Sequence, residues 1–524
     1  MKRDFLLCLS FSNLVFLNAW DRVLWAGAGY YRQNVAKDIL LVACCVVLFT
    51  IVSWLLLLVV RRSKNARVLN IARFGFFCFA ALWLLPYVFR AFSALPPLGK
   101  LTLGICLAVL PLLWKRIPLS RFAASLLLCS SLFVLVTFAE ATWFVSQSAK
   151  PQSQIKPDVV RNSGKSRVLW IVFDELDEDI AFDNRPKSLH LPEFDALQAH
   201  SWAASRAYPP ANLTELSIPA LLTGKIIENT KPLNDHELSL QLGDSHVWIQ
   251  WSKAPSIVSD ARNLGFRTSL IGWYHPYCDV LGSELDYCFQ VKSAAFFGSL
   301  VRQSFAGTTA SVLRRVFPIL GSLGTPDPED RRCRRDHLRE YMEIENAAIA
   351  AVSRFQDGLL IIHIPAPHPT AIFDRDLGQY RTEGKRSYLD NLALADMALG
   401  EIRKQMEVRD TWGDTTVIVT SDHWWRVRAW AKGALWTEEE RVFDQKRDHR
   451  VPFLVKLAGQ KTQINYDRPV STILIRDLIR SVLTGETESA EALSAKVNSL
   501  TTETPRTIYR DYETQRVTVL RAGD

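Results

Sequence analysis

The sequence carries no recognisable nucleic-acid-binding motif, no internal repeat and no low-complexity segment outside residues 147–166. Its net charge of +8 could otherwise suggest a nucleic-acid partner. Much of the basic excess lies in short connections between apolar stretches and in the basic run 331–335. A membrane surface is the simpler partner for such a distribution, so we expect the chain to bind no nucleic acid.

Charged residues are scarce across most of the first 146 residues, where five apolar stretches can be drawn. They cover residues 5–20, 39–60, 69–89, 100–114 and 121–146. Asn13 and Asn18 weaken the first stretch, and the fourth is short for a hydrocarbon core that needs about 20 helical residues. A cleaved signal peptide is the alternative for the first stretch, although no clean cleavage site of small residues follows it. The sequence thus predicts an α-helical transmembrane bundle of about five spans.

The positions of Lys and Arg predict the orientation of these spans. With Lys2 and Arg3 in the cytoplasm, the inner loops hold Arg61, Arg62, Lys64, Arg67, Lys115 and Arg116. The outer loops are poorer and hold mainly Arg22, Arg32, Lys37 and Lys100. Five spans would place everything after residue 146 outside the cytoplasm, whereas the loss of one span would reverse this. We therefore expect a multi-pass protein of the plasma (inner) membrane whose catalytic domain is extracytoplasmic.

The chain after residue 146 has the pattern of a soluble α/β domain. Residues 147–166 form a polar linker, and continuous apolar runs at 168–174, 358–364, 415–422 and 452–457 are typical of buried strands. Helical patterns lie between them near 334–355, 384–406 and 470–483. Strands that alternate with helices predict a mostly parallel central sheet. We expect a transmembrane region at 1–146, the linker at 147–166 and a catalytic domain at 167–524, with another strand near 515–520.

Three of these strands end in residue types that bind metals. Asp174 and Glu175 close the first, His363 and His368 follow the second, and Asp422 and His423 close the third. One carboxylate pair alone would more often cap a helix or face solvent. Because sites in parallel sheets form beyond the carboxyl ends of the strands, the three ends together predict a metal site. Carboxylate and imidazole ligands favour zinc, with manganese second.

Thr214 is the candidate nucleophile. It falls at the start of a helix that follows Pro209 and Pro210. A simple helix cap is the alternative role, and Asn212-Leu213-Thr214 is also a formal glycosylation sequon. The first turn of a helix, however, can hold phosphate with free backbone N–H groups. A metal ion would also help to deprotonate the threonine hydroxyl.

The segment Thr214-Glu215-Leu216-Ser217-Ile218-Pro219 resembles the T-x-x-S-x-P nucleophile segment of the phosphoethanolamine transferases that modify lipid A. Those enzymes and lipoteichoic acid synthase are similar to this chain in having five spans before an exported domain of the alkaline phosphatase and sulfatase superfamily. The resemblance implies an alkaline-phosphatase-like fold with Thr214 as nucleophile. Their first metal ligand, a Glu at a strand end, corresponds to Glu175. Sulfatases carry two adjacent Asp residues there, which adds Asp174 to the implied ligands.

Three further segments extend the resemblance over roughly residues 170–455. Ser421-Asp422-His423 resembles the metal-binding S-D-H segment, which implies that Asp422 and His423 are ligands. The spacing of His363 and His368 resembles an H-x4-H-G-P pattern whose histidines face the substrate or a second metal, although Pro369 follows directly here. That departure puts the shape of the loop in doubt. The segment 449–452 resembles an H-x-V-P pattern and assigns a similar role to His449.

The resemblance implies transfer of a phosphoethanolamine or phosphoglycerol group from a phospholipid donor through a phospho-threonine intermediate. Lipid A, a glycan or an envelope polymer would be the acceptor. A phosphodiesterase or phosphatase would share every residue that contacts the metal, so hydrolysis stays open. A sulfatase is disfavoured because the C/S-x-P-x-R motif is absent from the nucleophile segment. A non-catalytic envelope binding protein is a further alternative, which loss of the nucleophile or of S-D-H would have favoured.

The cysteines and the remaining histidines give weaker signals. Six of the nine cysteines precede residue 146, where they resemble small apolar residues. Cys278 and Cys288 flank an acidic loop and could form a disulfide if the domain is exported. We expect ordinary surface or packing roles for His190, His200, His236, His246 and His337. His275 could either line the site or pack near the proposed disulfide.

Overall fold

A computed structural model describes residues 2–20, 24, 35–62, 131–148, 166–292 and 329–523, with isolated residues at 67–69, 71, 72, 74, 75, 79, 125, 127 and 128. Residues 235, 244, 431–435, 446, 447, 512, 513 and 515 fall outside the described set. The described residues divide into two compact units, one N-terminal up to residue 148 and one C-terminal from residue 166. Most of the predicted linker lies outside the described residues.

The helices run in chain order as α1 (Lys2–Val15), α2 (Leu17–Trp20), α3 (Val35–Arg62), α4 (Ser131–Ser148), α5 (Pro192–Gln198), α6 (Thr214–Thr223), α7 (Ile257–Asn263), α8 (Tyr277–Val280), α9 (Glu329–Val352), α10 (Tyr388–Glu407), α11 (Val427–Trp430), α12 (Ile475–Leu483) and α13 (Ala490–Leu500). The strands are β1 (Arg167–Asp174), β2 (Trp202–Ala204), β3 (Ala207–Tyr208), β4 (Ile227–Pro232), β5 (Leu238–Leu242), β6 (Trp248–Gln250), β7 (Thr268–Tyr274), β8 (Tyr287–Lys292), β9 (Gly358–Pro367), β10 (Phe373–Asp374), β11 (Gln379–Tyr380), β12 (Thr416–Ser421), β13 (Phe453–Lys456), β14 (Ile464–Tyr466), β15 (Val470–Ser471), β16 (Arg506–Arg510) and β17 (Val517–Arg521).

The N-terminal unit contains α1 to α4. Within α3, residues 39–62 form a 24-residue segment that is long and apolar enough to cross a membrane, as judged by length and composition. The apolar helix at 131–143 is shorter. Asn13, which weakens the first apolar stretch, is buried, and its Oδ1 accepts hydrogen bonds from Trp20 and Thr137. The predicted stretch 100–114 lies outside the described residues and 69–89 is described only in part, so the five spans stay a prediction.

The C-terminal unit is built on an eight-stranded sheet of order β14-β2-β13-β12-β1-β9-β7-β8. Strand β1 pairs in parallel with β12 and β9, and β7 pairs in parallel with β9 and β8. Strand β13 is antiparallel to both of its neighbours, β12 and β2. The prediction of a mostly parallel central sheet is therefore confirmed, and the strand near 515–520 is β17. That strand pairs only with β16, outside the central sheet.

Strand β1 is apolar from Val168 to Phe173 because both faces of the sheet are covered. Val168, Trp170 and Val172 join the core on one face, which also contains residues of α7 and α12. Leu169, Ile171 and Phe173 join the core on the other face, with residues of α5, α9 and α10. This three-layer arrangement explains the unbroken apolar run, since a strand covered on both faces does not alternate apolar with polar residues. It also brings the carboxyl ends of β1, β9 and β12 to one edge.

Candidate active site

Asp174 and Glu175 lie at the carboxyl end of β1, and both side chains are fully buried. Glu175 has a φ of 63°, a backbone conformation that is uncommon for residues other than glycine. The two neighbouring carboxylates make different hydrogen bonds and ion pairs. Asp174 contacts Thr214 and His423, whereas Glu175 contacts Arg426 and Trp430. Backbone strain of this kind is concentrated at functional sites.

The Ser421-Asp422-His423 segment joins the ends of β1 and β12. The Oδ1 atom of Asp422 accepts the backbone N–H of Glu175 at 3.2 Å and that of His423 at 2.8 Å. Ser421 accepts the backbone N–H of Leu176 and lies 2.8 Å from the carbonyl oxygen of Phe173. These bonds hold the Asp422 carboxylate and the backbone of the S-D-H segment at the end of β1.

Thr214 is the first residue of α6, and Leu213 takes the capping position before it. The Thr214 hydroxyl donates to Asp174 Oδ2 at 3.3 Å and lies 3.2 Å from His423 Nε2. It thus faces the ends of β1 and β12. The sequon is an unsuitable glycosylation site in this fold, because the Asn212 amide is buried and bonded to the backbone of Arg510.

The motif spacing around Thr214 has a structural reason. Ser217 lies about one helical turn after Thr214, and its hydroxyl donates to the carbonyl oxygen of Asp422. This bond joins α6 directly to the S-D-H segment. At the other side of Thr214, the buried His275 ring contacts the Thr214 carbonyl oxygen at 3.2 Å through Nε2. Thr214 is held from both sides.

Asp174, Asp422 and His423 together fit a divalent cation. One potential ligand atom from each lies within 4.8 Å of the others, and all three residues are buried. Asp174 Oδ1 and Asp422 Oδ2 are buried and have no hydrogen-bond partner among the described residues. Two carboxylate oxygens without hydrogen bonds in a dry site are costly unless a cation neutralises them. Carboxylate and imidazole are also ligand types of zinc.

The titration behaviour of these groups agrees with a cation site. Burial, followed by the charge of Asp174, raises the pKa of Asp422 to about 8. Burial and the charge of Glu175 raise the pKa of Asp174 well above its ordinary value. Burial lowers the pKa of His423 well below its usual range, which keeps the ring neutral. Protons on the carboxylates would compete with a bound metal.

His363 lies within β9, which continues to Pro367 and so beyond the predicted end at residue 364, and His368 directly follows the strand. His363 Nε2 is 3.7 Å from Asp174 Oδ2, and its Nδ1 is 2.9 Å from the Tyr277 hydroxyl. His368 Nε2 is 3.9 Å from Glu175 Oε1. Asp174, Glu175 and His368 form a second group of potential ligand atoms within 4.8 Å of one another. The structure therefore brings both histidines to the predicted carboxylates.

Glu175 differs from Asp174 in being fully paired. Its Oε1 atom accepts hydrogen bonds from Arg426 Nε at 2.8 Å and from Arg426 Nη2. The indole N–H of Trp430 lies 3.2 Å from both carboxylate oxygens. The geometry therefore favours Asp174 over Glu175 as the metal ligand from β1.

His449 is separate from this cluster but lines a cavity next to it. The cavity has a volume of about 340 Å³, and Asn212, Leu213, Trp424 and Arg426 also line it. The His449 and Trp424 rings are 4.6 Å apart. Leu213, which directly precedes Thr214 and α6, and Arg426, which contacts Glu175, place this cavity beside the cluster.

Five of the residues described above near the site were not identified from the sequence as part of it. Arg426, Trp430 and Tyr277 had no motif, His275 was left open, and His337 was expected to have an ordinary role. His337 is buried, and its ring nitrogens lie 2.7 Å from Thr370 Oγ1 and from the Pro365 carbonyl oxygen. It thus packs against the loop that carries His368. The only available signal was the position of Arg426 three residues after His423.

The predicted disulfide between Cys278 and Cys288 is present and joins α8 to β8. It follows Tyr277 directly in the chain. Because the Tyr277 hydroxyl contacts His363, the disulfide restrains a segment that reaches the site.

Residues 166–484, more than half of the chain, match the sulfatase family, and the chain therefore belongs to that family. It is accordingly a sulfatase-like enzyme. No curated protein matches the chain significantly.

Solved structures with a similar fold include a protein in the alkaline phosphatase superfamily from Vibrio parahaemolyticus, with 16% identity, a TM-score of 0.39, and coverage of 69% of this chain and 78% of that one. The phosphonate monoester hydrolase of Agrobacterium radiobacter has 15% identity, a TM-score of 0.39, and coverage of 67% and 82%. The lipoteichoic acid synthase LtaP from Listeria monocytogenes has 12% identity, a TM-score of 0.38, and coverage of 61% and 72%.

Proposed function

We propose that this enzyme is a membrane-anchored, metal-dependent transferase. In this proposal it moves a phosphoethanolamine or phosphoglycerol group from a phospholipid to a cell-envelope acceptor through a phospho-threonine intermediate at Thr214. The observation that carries the proposal is the Thr214 hydroxyl, which lies 3.3 Å from Asp174 and 3.2 Å from His423 at the first turn of a helix. A hydroxyl between a carboxylate and a neutral imidazole is suited to nucleophilic attack.

A divalent metal, with zinc preferred, would bind Asp174, Asp422, His423 and the Thr214 oxygen, where it would favour loss of the hydroxyl proton and withdraw charge from the phosphoryl group. The amino end of α6 contributes free backbone N–H groups that favour an anion. Ser217 and His275 keep Thr214 in place through the Asp422 and Thr214 carbonyl oxygens.

The reaction has two displacements at phosphorus. In the first, the Thr214 oxygen forms a bond to phosphorus, the bond to the glycerol oxygen of the lipid breaks, and diacylglycerol leaves after taking up a proton. In the second, an acceptor hydroxyl attacks phosphorus, its proton passes to a base, and the Thr214 oxygen is released and protonated again. His363, His368 and His449 are placed to bind the phosphoryl group or to move these protons.

The location of the reaction is part of the proposal. The apolar segment 39–62 would hold the enzyme at the membrane, where its lipid donor is concentrated. The Cys278–Cys288 disulfide favours an oxidising compartment for the catalytic domain. The distribution of Lys and Arg around the apolar stretches favours the same, extracytoplasmic side of the membrane. We therefore place the catalytic domain on the extracytoplasmic side of a five-span region in the plasma (inner) membrane.

The test uses the full-length chain in lipid nanodiscs with phosphatidylethanolamine or phosphatidylglycerol, with lipid A or an envelope glycan as acceptor. Mass spectrometry would follow diacylglycerol and the acceptor. Metal-dependent diacylglycerol release with headgroup transfer supports the proposal. Diacylglycerol release with free phosphoethanolamine or phosphoglycerol in water would identify a phosphodiesterase instead. No diacylglycerol from any donor, in protein with metal bound, would contradict a phospholipid donor.

A further inference from the structure

The last two strands of the chain are joined to the segment that precedes α6. Strands β16 and β17 form a hairpin, here called the C-terminal hairpin (residues 506–521), which lies after the part of the chain that matches the sulfatase family. Ile508 donates its backbone N–H to the carbonyl oxygen of Pro210 at 2.9 Å, and its own carbonyl oxygen accepts the backbone N–H of Asn212 at 3.0 Å. The Asn212 amide and the backbone of Arg510 exchange two further hydrogen bonds of 3.1 and 2.9 Å. The hairpin is therefore anchored next to the candidate nucleophile.

The C-terminal hairpin also forms part of the lining of the cavity beside the active site. Its contribution consists of Tyr509, Arg510, Asp511, Thr518 and Leu520. Asn212 lines the same cavity, as does Trp424, which directly follows the S-D-H segment. The volume of about 340 Å³ lies at the lower end of the range for small-molecule sites. The end of the chain thus meets the residues around the nucleophile and the metal-binding segment at one cavity.

Aromatic side chains line this cavity together with polar ones. The rings of Trp424 and Tyr509 are nearly parallel, with an interplanar angle of 19° and centroids 6.5 Å apart. The His449 ring is 4.6 Å from the ring of Trp424. A flat aromatic ring is a large apolar surface that costs little conformational freedom to present. It suits the C–H face of a sugar ring, which is flat and apolar in the same way.

Charged side chains near these rings are paired within the protein. Arg510 donates to Glu215 at 3.3 Å, and Asp448 accepts a hydrogen bond from Arg450 Nε at 2.8 Å. Arg428 also lines the cavity but is exposed to solvent. Paired guanidinium and carboxylate groups can still form hydrogen bonds to hydroxyls, which both donate and accept. The lining therefore favours a neutral ligand rich in hydroxyls over an ammonium group.

We propose that this cavity binds a neutral sugar ring of the acceptor. The Trp424 and Tyr509 rings pack against the apolar face of the sugar, and polar groups of the C-terminal hairpin bind its hydroxyls. Sugar binding follows from the cavity alone, whereas the assignment of the sugar to the acceptor rests on the proposed function. Among the acceptors considered above, a glycan or the sugar part of a glycolipid is then favoured over a polymer without sugars.

The first test measures sugar binding without any reaction. The full-length protein in lipid nanodiscs is mixed with cellobiose, maltose or N,N′-diacetylchitobiose, and saturation-transfer NMR identifies the sugar protons that lie against the protein. We expect the C–H protons of at least one disaccharide to be saturated by the wild type. Tyr509→Ala should weaken this binding about tenfold, the order expected for one lost aromatic contact, and Tyr509→Phe should keep most of it. Trp248→Ala is the matched control, because Trp248 is exposed on β6 and is not part of the cavity lining.

The same experiment can overturn sugar binding in three ways. Absence of saturation transfer to all three disaccharides is the first, and equal affinity of the wild type and Tyr509→Ala is the second. Glycerol and ethanolamine are the headgroup probes, and saturation of these alone would assign the cavity to the donor. Thr518→Trp gives an independent comparison if Tyr509→Ala fails to fold. Thr518 is exposed, so a larger side chain there can fill the cavity without disturbing a packed ring, and it should also weaken sugar binding.

The second test determines whether the sugar is the acceptor. Metal-loaded protein is first exposed to the phospholipid donor and then to the disaccharide that binds best, while mass spectrometry follows the Thr214 adduct and the sugar. We expect Tyr509→Ala to raise the sugar concentration for half-maximal loss of the adduct about tenfold, with a smaller effect on adduct formation. Trp248→Ala should change neither step.

The outcomes of the second test separate this inference from the proposed function. A Tyr509→Ala variant that slows adduct formation but not adduct loss, or a sugar that stays unmodified at every concentration, would overturn the assignment to the acceptor. No adduct from any donor would contradict the proposed function and remove the acceptor role with it. Sugar binding in the cavity would then still be decided by the first test.

Discussion

Asp174 and Glu175 are neighbours in the chain, yet they belong to two halves of the site with different electrostatics. The Asp174 half consists of Asp174, Asp422, His423 and Thr214, and it has buried carboxylate oxygens without hydrogen bonds. The Glu175 half consists of Glu175, Arg426, Trp430 and His368, and its carboxylate is neutralised by a guanidinium. The difference teaches that two adjacent acidic residues at a strand end need not share a function. The Asp174 carboxylate can bind a metal cation, while the Glu175 carboxylate orients the guanidinium of Arg426.

Removal of the nucleophile should have the largest effect, because it disables the Asp174 half alone. We expect Thr214→Ala to lower kcat by a factor of about 10³ or more while metal still binds at saturating concentration, since three of the four proposed ligands, Asp174, Asp422 and His423, remain. Steady-state turnover of the phospholipid donor, with metal analysis of the same sample, provides the measurement. The exposed Thr502→Ala serves as the matched control. Full activity in Thr214→Ala would remove Thr214 from the mechanism.

Removal of the metal should destabilise the Asp174 half more than the Glu175 half, and the loss of stability should depend on pH. The folded-state pKa of Asp422, about 8, lies above its ordinary value of 3.8, so this buried carboxyl costs the metal-free protein stability as pH rises from about 4 to 8. A bound metal removes that cost and no longer competes with a proton at high pH.

We therefore expect the rise in Tm on adding saturating Zn²⁺ to be larger at pH 8 than at pH 6. Differential scanning fluorimetry of the chelated and reloaded protein can measure it. Asp422→Asn is the control and should abolish most of the metal-induced rise. An equal rise at both pH values would argue that Asp422 is not a metal ligand.

Weakening the Glu175 half should have an intermediate effect. We expect Glu175→Gln to loosen Arg426 and lower kcat/KM by about tenfold, while one metal ion stays bound, because the Asp174 half is intact. Activity and metal content measured together would separate the halves. Loss of the first metal ion in Glu175→Gln would show that the halves are not independent.

Removal of the disulfide beside Tyr277 should have the smallest effect on catalysis. Replacing both Cys278 and Cys288 by Ala should cost roughly 2–3 kcal/mol of stability, the order expected for a short disulfide loop, and should lower activity only a few fold through Tyr277 and His363. Tyr277→Phe is the companion variant, since it removes the contact with His363 but keeps the disulfide. Urea unfolding and turnover would show whether stability and activity separate. An inactive Tyr277→Phe would place Tyr277 in the chemistry itself.

The strand ends could be predicted from the sequence because burial on both faces leaves an unbroken apolar run before each ligand-type residue. Strands β1, β9 and β12 confirm this, as their parallel pairing brings Asp174, His363 and Asp422 to one edge. The antiparallel direction of β13 could not be predicted, since an apolar run has the same composition in either direction.

The ion pair between Glu175 and Arg426 could not be predicted from the sequence either. Glu175 and Arg426 are separated by 251 positions in the chain, and Glu175 has a left-handed backbone that the apolar run before it does not indicate. The family resemblance implied both Asp174 and Glu175 as metal ligands, and only the folded chain shows that Glu175 is paired with Arg426 while Asp174 Oδ1 has no hydrogen bond among the described residues.

The central claim is that Thr214 forms a covalent bond to phosphorus, and the modification of this residue tests it most directly. Metal-loaded protein would be mixed with phosphatidylethanolamine or phosphatidylglycerol without acceptor, quenched in acid, digested and analysed by mass spectrometry. We expect the peptide that contains Thr214 to carry a phosphoethanolamine or phosphoglycerol group, and the adduct to disappear when acceptor is added. Donor turnover by metal-loaded protein with Thr214 unmodified at every quench time, or with an adduct on another residue, would contradict the account.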